Sequence, residues 1–143
     1  MSITQISIFL ENRAGQLSEI TKILSENSID LKALNIAETA DYGILRIISD
    51  DSDKAAKLLR DNGFIVTETP VAAAAVPNKA GGLNDLLNII SKEEIDIEYM
   101  YSVFGQKDGL AYMIFKVKDV EAFISVLEKY FITVADNSDL GIK

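Results

Sequence analysis

Apolar and polar positions follow two rhythms along this chain, and the rhythms alternate in a fixed order. Residues 3–10 hold Ile and Phe at strand spacing. Over residues 16–27 the spacing turns helical, with Leu17, Ile20, Ile23 and Leu24 on one stripe. A strand pattern returns at 30–37, a hairpin turn at 39–43, and another strand at 44–48. Ser52 or Asp53 then offers an N-cap to a helix carrying Ala55, Ala56, Leu58 and Leu59. Gly63 stands where a left-handed residue closes a helix, and 64–68 reads as a strand. The order is β-α-β-β-α-β. It is then repeated, with strands near 70–76, 96–103, 110–116 and 131–135 and helices near 82–92 and 118–129. In the last helix Val120, Phe123, Ile124 and Leu127 form one apolar face.

The repetition extends to the residues themselves. Asn12-Arg13-Ala14-Gly15-Gln16-Leu17 falls on Asn78-Lys79-Ala80-Gly81-Gly82-Leu83, a shift of 78 − 12 = 66. The same shift, without a gap, puts Ile29-Asp30 on Ile95-Asp96, Gly43 on Gly109, Ile48 on Ile114, Asp53 on Asp119 and Ala56 on Ala122. Two small domains follow, residues 1–68 and 69–143, joined with only Pro70 between their strands. The expected class is α+β: two ferredoxin-like βαββαβ repeats, each an antiparallel sheet with both helices on one face, the sheets packed side by side.

Composition narrows the chemistry. The 143 residues include no Cys and no His. Thiol and Ser–His nucleophile systems are therefore excluded, as are the commonest metal ligands, so no metal and no cofactor is expected. Lys plus Arg number 14 against 22 Asp plus Glu, a net charge of −8, which disfavours nucleic acid as a partner. Residues 71–76 form the longest apolar run, far short of the ~20 that a membrane helix needs. The first residues lack a secretory pattern and the last a lipidation signal, so a cytoplasmic location is expected. No P-loop, H-E-x-x-H or G-x-S-x-G occurs, and catalysis is not expected.

The loop Glu11-Asn12-Arg13-Ala14-Gly15, leading into a helix at Gln16, is the candidate site. Gly15 lets backbone or ligand approach closely. The first amides of the helix have no intrahelical partner, and with the helix dipole they favour a carboxylate. Asn12 adds an amide donor and acceptor. The alternative is a plain strand–helix turn closed by a capping side chain.

The motif E-N-R-A-G-x-L after a strand, with I-D-L opening the next strand, resembles the ACT domain, most closely its E-N-R-P-G-x-L type. The resemblance covers about residues 2–135 as two tandem domains, with Ala14 and Ala80 where that family often has Pro. It implies a regulatory protein that binds an amino acid where two such domains meet. The loop of one domain, Asn12 to Leu17 or Asn78 to Leu83, would give backbone amides and a polar side chain. The second strand of the facing domain would give Asp30 or Asp96, an acceptor for an ammonium group. A solvated Asp at a strand start, or one paired with a nearby Lys, is the other reading of both positions.

The two sites are expected to differ. Arg13 and Gln16 stand against Lys79 and Gly82, and Lys32-Ala33-Leu34-Asn35 against Glu98-Tyr99-Met100-Tyr101. Tyr99 would line one pocket, which slightly favours histidine or an aromatic amino acid as ligand. A homodimer, or a complex with an enzyme of amino-acid metabolism, is the expected assembly. The rival reading is a regulatory subunit whose pocket goes unused.

Overall fold

The computed structural model describes residues 1–143 apart from positions 12, 39, 40 and 106. Its elements run β1 (Ile3–Glu11), α1 (Gln16–Glu26), β2 (Leu31–Glu38), β3 (Tyr42–Ser49), α2 (Ser52–Asp61), β4 (Val66–Pro77), α3 (Gly82–Lys92), β5 (Tyr99–Ser102), β6 (Leu110–Lys116), α4 (Val120–Lys129) and β7 (Val134–Ala135), with a short 3-10 turn at Ser138–Leu140. The chain divides into two compact units. The N-terminal unit holds Thr4–Thr69 with Gly141–Lys143, and the C-terminal unit holds Pro70–Leu140 with Met1–Ile3.

In the N-terminal unit the strands lie in the order β2-β3-β1, antiparallel, with the start of β4 next to β1. Ile6, Ile8 and Leu10 of β1 and Leu45 and Ile47 of β3 point one way. They pack with Ile20 and Leu24 of α1 and Ala55, Ala56 and Leu59 of α2. Alternation along the strand and three-to-four spacing along the helices bring those residues together. The C-terminal unit repeats the plan, with β5-β6-β4 and β7 also paired to β4. Its core joins Ala72, Ala74 and Val76 to Phe115, Phe123, Ile124 and Leu127. Each unit is thus a βαββαβ fold with an antiparallel sheet, as the sequence pattern predicted.

Four expectations change. First, the repeat is not gapless. Tyr42 pairs with Glu11 as Leu110 pairs with Pro77, a shift of 110 − 42 = 68 in β3 and β6. In β2 and β5 the shift is still 66, since Leu34 pairs with Ile47 as Met100 pairs with Phe115. The β5–β6 hairpin is therefore two residues longer. Gly43 corresponds to Ala111 rather than Gly109, Ile48 to Lys116 rather than Ile114, and Ala56 to Ile124 rather than Ala122.

Second, the cap of α2 is neither Ser52 nor Asp53. Asp51 takes the position, its carboxylate accepting from Lys54 N–H at 3.2 Å. Asp119 caps α4 in the same way through Ala122 N–H at 3.0 Å. Third, β4 runs through Pro70 unbroken. Pairing with β6 begins only at Ala72, so the missing N–H of Pro70 removes no bond of the β4–β6 ladder. Fourth, β5 begins at Tyr99 and β7 at Val134, later than their patterns suggest. Residues 130–132 are drawn into the turn that ends α4, where Phe131 N–H bonds Glu128 O and Ile132 N–H bonds Leu127 O.

Candidate functional site

The N-terminal loop leaves β1 at Glu11 and enters α1 at Gln16. Asn12 lies outside the described residues. Arg13, Ala14 and Gly15 are exposed, Gln16 is buried and Leu17 packs on the core. Gly15 caps α1 with φ 86°, a left-handed conformation, and makes no side-chain cap. A Cβ there would meet nothing within 4 Å, so the torsion, and not close packing, is what calls for glycine. Glu19 N–H is the first to bond back along the helix, to Gly15 O at 2.9 Å. The amides of Gln16, Leu17 and Ser18 are left outside the intrahelical ladder.

Arg13 stands over this helix end between two carboxylates. Its Nη2 lies 3.1 Å from Glu19 Oε2 and its Nε 3.7 Å from Glu11 Oε2. All three side chains are substantially exposed, so these pairs orient the guanidinium more than they stabilise the fold. Two cavities flank the loop and share Glu11, Arg13 and Gln16. One, of about 180 Å³, is closed by Tyr42, Ile36 and Gly43. The other, of about 220 Å³, is closed by Phe9, Phe64 and Asn62. At roughly 30 Å³ of liquid volume per water, each has room for a small polar metabolite group. The Phe9 and Tyr42 rings stack at 5.1 Å and are each about two-fifths exposed, an aromatic wall beside both cavities.

Between the cavities lies Gln16. It is 7% exposed, and among the described residues no donor reaches its Oε1. A buried carbonyl oxygen without a partner is uncommon, because desolvation is then uncompensated.

The loop of the C-terminal unit has the same path and a different interior. Gly81 caps α3 with φ 87°. Asn78 N–H bonds Gly109 O at 2.8 Å, and Lys79 N–H bonds Pro77 O at 2.8 Å. Gly82, the counterpart of Gln16, donates its N–H to Lys79 O, so the first amide of α3 is already used. A Cβ on Gly82 would lie 2.1 Å from Pro77 O. The volume that the Gln16 side chain fills in one unit is thus taken by backbone in the other. Ala80 is exposed, and Leu83 packs on the core as Leu17 does.

Asp30 and Asp96 sit at the far end of their own sheets. Glu11 pairs with Tyr42 at the loop end of β3, while Leu31 pairs with Ser49 at the other end, roughly 24 Å along the strand. Within a unit the loop and its Asp do not meet. Asp30 Oδ2 accepts from Lys32 Nζ at 3.0 Å, and Asp30 N–H donates to Asp50 Oδ1. Asp96 is exposed and lines a groove of about 300 Å³ between the end of α3 and the start of α4, floored by Ala122, Phe123 and Val126. The nearby acids have structural duties. Glu93 accepts from Tyr130 O–H at 2.6 Å and from Lys129, which together hold its carboxyl below the usual range. Tyr99 faces away from α3 and α4, since its neighbour Met100 is the residue packed on the core.

Phe9, Ile36, Tyr42 and Phe64 were not among the expected site residues. The register would have found two of them: pairing β1 with β3 antiparallel sets Tyr42 opposite Glu11, and Phe9 two residues back on the same face. Among the described residues no cluster of three metal-ligating side chains occurs, and no helix is long and apolar enough to cross a membrane.

A family model described as an ACT domain pair matches residues 1–141. No curated protein matches the chain. Among solved structures, protein BT0572 from Bacteroides thetaiotaomicron is 42% identical, with a TM-score of 0.91 over 99% of this chain and 96% of that one. The regulatory subunit of aspartate kinase from Thermus thermophilus, in its ligand-free form, is 13% identical, with a TM-score of 0.64 over 90% of this chain and 92% of that one. Aspartokinase III of E. coli, in complex with lysine and aspartate, is 17% identical with a TM-score of 0.51, over 91% of this chain and 31% of that one. At those identities the regulatory subunit and aspartokinase III show a shared fold alone. A match over almost the full length, on a chain that carries the βαββαβ order twice, places this protein in the ACT domain family as an ACT domain pair.

Proposed function

We propose that this chain is a non-catalytic regulatory protein that binds a free amino acid at the loop between β1 and α1. The observation that carries the reading is the end of α1. Gln16 and Leu17, whose amides lie outside the helix ladder, the oriented Arg13 guanidinium and a buried carbonyl oxygen with no donor among the described residues line two small cavities. The amides and the helix dipole suit a carboxylate. Glu11 and the Gln16 oxygen suit an ammonium group. Family membership supports an amino acid as the ligand, because ACT domains commonly bind amino acids. So does the fold shared with aspartokinase III, whose structure was determined with lysine and aspartate.

The ligand is completed by the second strand of a facing ACT domain, through Asp30, or through Asp96 and Tyr99. The assembly is a homodimer or a complex with an enzyme of amino-acid metabolism, in the cytoplasm. Histidine or an aromatic amino acid fits the Phe9–Tyr42 wall. A ligand of about nine heavy atoms at roughly −0.6 kcal/mol each gives a dissociation constant on the order of 0.1 mM.

The test is thermal denaturation with each standard L-amino acid at about 1–5 mM, a concentration that raises the melting temperature of a protein binding at that affinity. One amino acid, or a few related ones, should raise it. Asn12→Ala should lose the response and Asn78→Ala should keep it. Silence with every amino acid would sink the reading and leave a regulatory subunit whose pocket goes unused.

A further inference from the structure

Among the described residues of the loop, Gln16 is the one that is both buried and incomplete. Its side chain lies between the two cavities, and its Oε1 has no donor among the described residues. The Gln16 carbonyl can only accept, and the neighbouring groups cannot all satisfy it: Glu11 and Glu19 are acceptors themselves, and the Arg13 guanidinium is turned to them. Burying an acceptor this way costs stability unless something that comes and goes supplies the donor. The counterpart, Gly82, has no side chain and no space for one, because Pro77 O lies 2.1 Å from where its Cβ would be.

We propose that Gln16 selects the ligand, by requiring a hydrogen-bond donor on it, and that the selection operates at the N-terminal loop alone. The inference rests on the amino-acid site proposed above and adds its discriminating contact. The ligand carboxylate lies at the amides of Gln16, Leu17 and Ser18. Its α-ammonium, two bonds from the carboxylate carbon, donates to Gln16 Oε1. The chemical class follows: primary amino acids are taken, and acids of the same shape without the nitrogen are refused. The C-terminal loop already satisfies its first amide through Lys79 O and has no acceptor to fill, so each chain holds one such site.

Two measurements test this together. The first compares each amino acid that shifts the melting temperature with its deaminated acid, such as L-histidine with imidazole-4-propionate or L-phenylalanine with 3-phenylpropionate, by titration calorimetry on the wild-type chain. The deaminated acid should bind at least about tenfold more weakly. The second uses Gln16→Met, which keeps the length and apolar stem and removes the acceptor. Without ligand this variant should melt about 2–4 °C above wild type, because an orphaned acceptor is gone. With the same amino acid its affinity should fall by at least about tenfold.

Deaminated acids that bind as tightly as the amino acids would overturn the proposal, and so would a Gln16→Met chain that melts below wild type. In either case a wild-type response to amino acids would leave the amino-acid site standing. If no amino acid shifts the wild-type chain, that site falls and this inference falls with it.

Discussion

Single residues in this chain are held in place for distinguishable reasons, and substitution separates them. Gly15 and Gly82 stand next to the same helix-start geometry in the two units. Gly15 needs its torsion, at φ 86°, and has open space around it. Gly82 has an ordinary torsion and no space. Gly15→Ala should therefore cost about 1–2 kcal/mol, the strain of a side chain in the left-handed region. Gly82→Ala should cost more, above about 2 kcal/mol, since Pro77 O must move or the end of α3 must unwind. Urea denaturation of the two variants checks the order, and equal losses would contradict it. Phe131 is the opposite case. It occupies the position that Gly63 fills in the first unit, at φ 59°, and is 95% exposed. A bulky residue there is strained and buries nothing, so Phe131→Gly should stabilise the chain by roughly 0.5–1 kcal/mol despite the added freedom of the unfolded glycine. A loss of stability in the same assay would show that the ring packs on something in solution.

At the scale of elements, the two units reach one architecture with different side chains. Ile8 and Ala55 in the first core correspond to Ala74 and Phe123 in the second. A large strand residue and a small helix residue of one core become a small strand residue and a large helix residue in the other, an exchange in the direction that keeps a core filled. Phe123 then finds Phe115, with ring centres 5.5 Å apart. This exchange explains what was legible in the sequence. Strand and helix patterns depend only on apolar spacing, and they survive the swap, so the βαββαβ order and its doubling could be read directly. The alignment of the copies depended on identity, and several of those identities mislead. Gly43 with Gly109 and Asp53 with Asp119 coincide only because two residues were added in the β5–β6 hairpin while the shift was held constant. Of the site, the loop was legible because Asn-x-Ala-Gly is local. Tyr42, Phe9 and the buried setting of Gln16 depend on strand pairing and on packing, and neither is written at any one position. The corrected register also sets Ala122 opposite Lys54. In the first unit Lys54 Nζ bonds Asn27 O, the cap of α1, at 2.8 Å. In the second unit Ala122 leaves the groove beside Glu93 and Asp96. Ala122→Lys should place an ammonium at the end of α3, where the helix dipole favours it, and should stabilise the chain by about 0.5 kcal/mol. A shift of the urea midpoint to higher concentration is the expected result, and a shift to lower concentration would mean the acids there already have the partners they need.

For the molecule as a whole, charge sets how stability depends on pH. The chain carries 22 acidic residues against 14 basic ones and has no histidine, so no side chain with an ordinary pKa near neutrality is present. The groups whose pKa values move in the folded state lie at the two extremes. Hydrogen bonds from Tyr130 and Lys129 lower the pKa of Glu93. Bonds from Ser138 and the Asp139 backbone lower that of Asp136. A carboxyl with a depressed folded pKa contributes stability above its unfolded value, and that stability is lost as the pH falls through the folded value. At the other end the hydrogen bond to Glu93 raises the pKa of Tyr130, and Asp61 raises that of Lys57. Those contributions are complete below the ordinary values of 10.0 and 10.5 and disappear as the pH rises through the folded ones. Stability should therefore be level between about pH 6 and 8 and fall on both the acid and the alkaline side. Tyr130→Phe isolates one contribution, because it removes the largest cause of the Glu93 shift and the tyrosine titration together. The variant should lose less stability than wild type between about pH 5 and 3, as the Glu93 pKa returns toward its ordinary 4.5, and less again above about pH 10. Melting temperatures across that range for the two chains decide it. Parallel curves would mean that the Tyr130–Glu93 bond is not formed in solution, and a step between pH 6 and 8 in either chain would require a titrating group that the folded structure has strongly displaced.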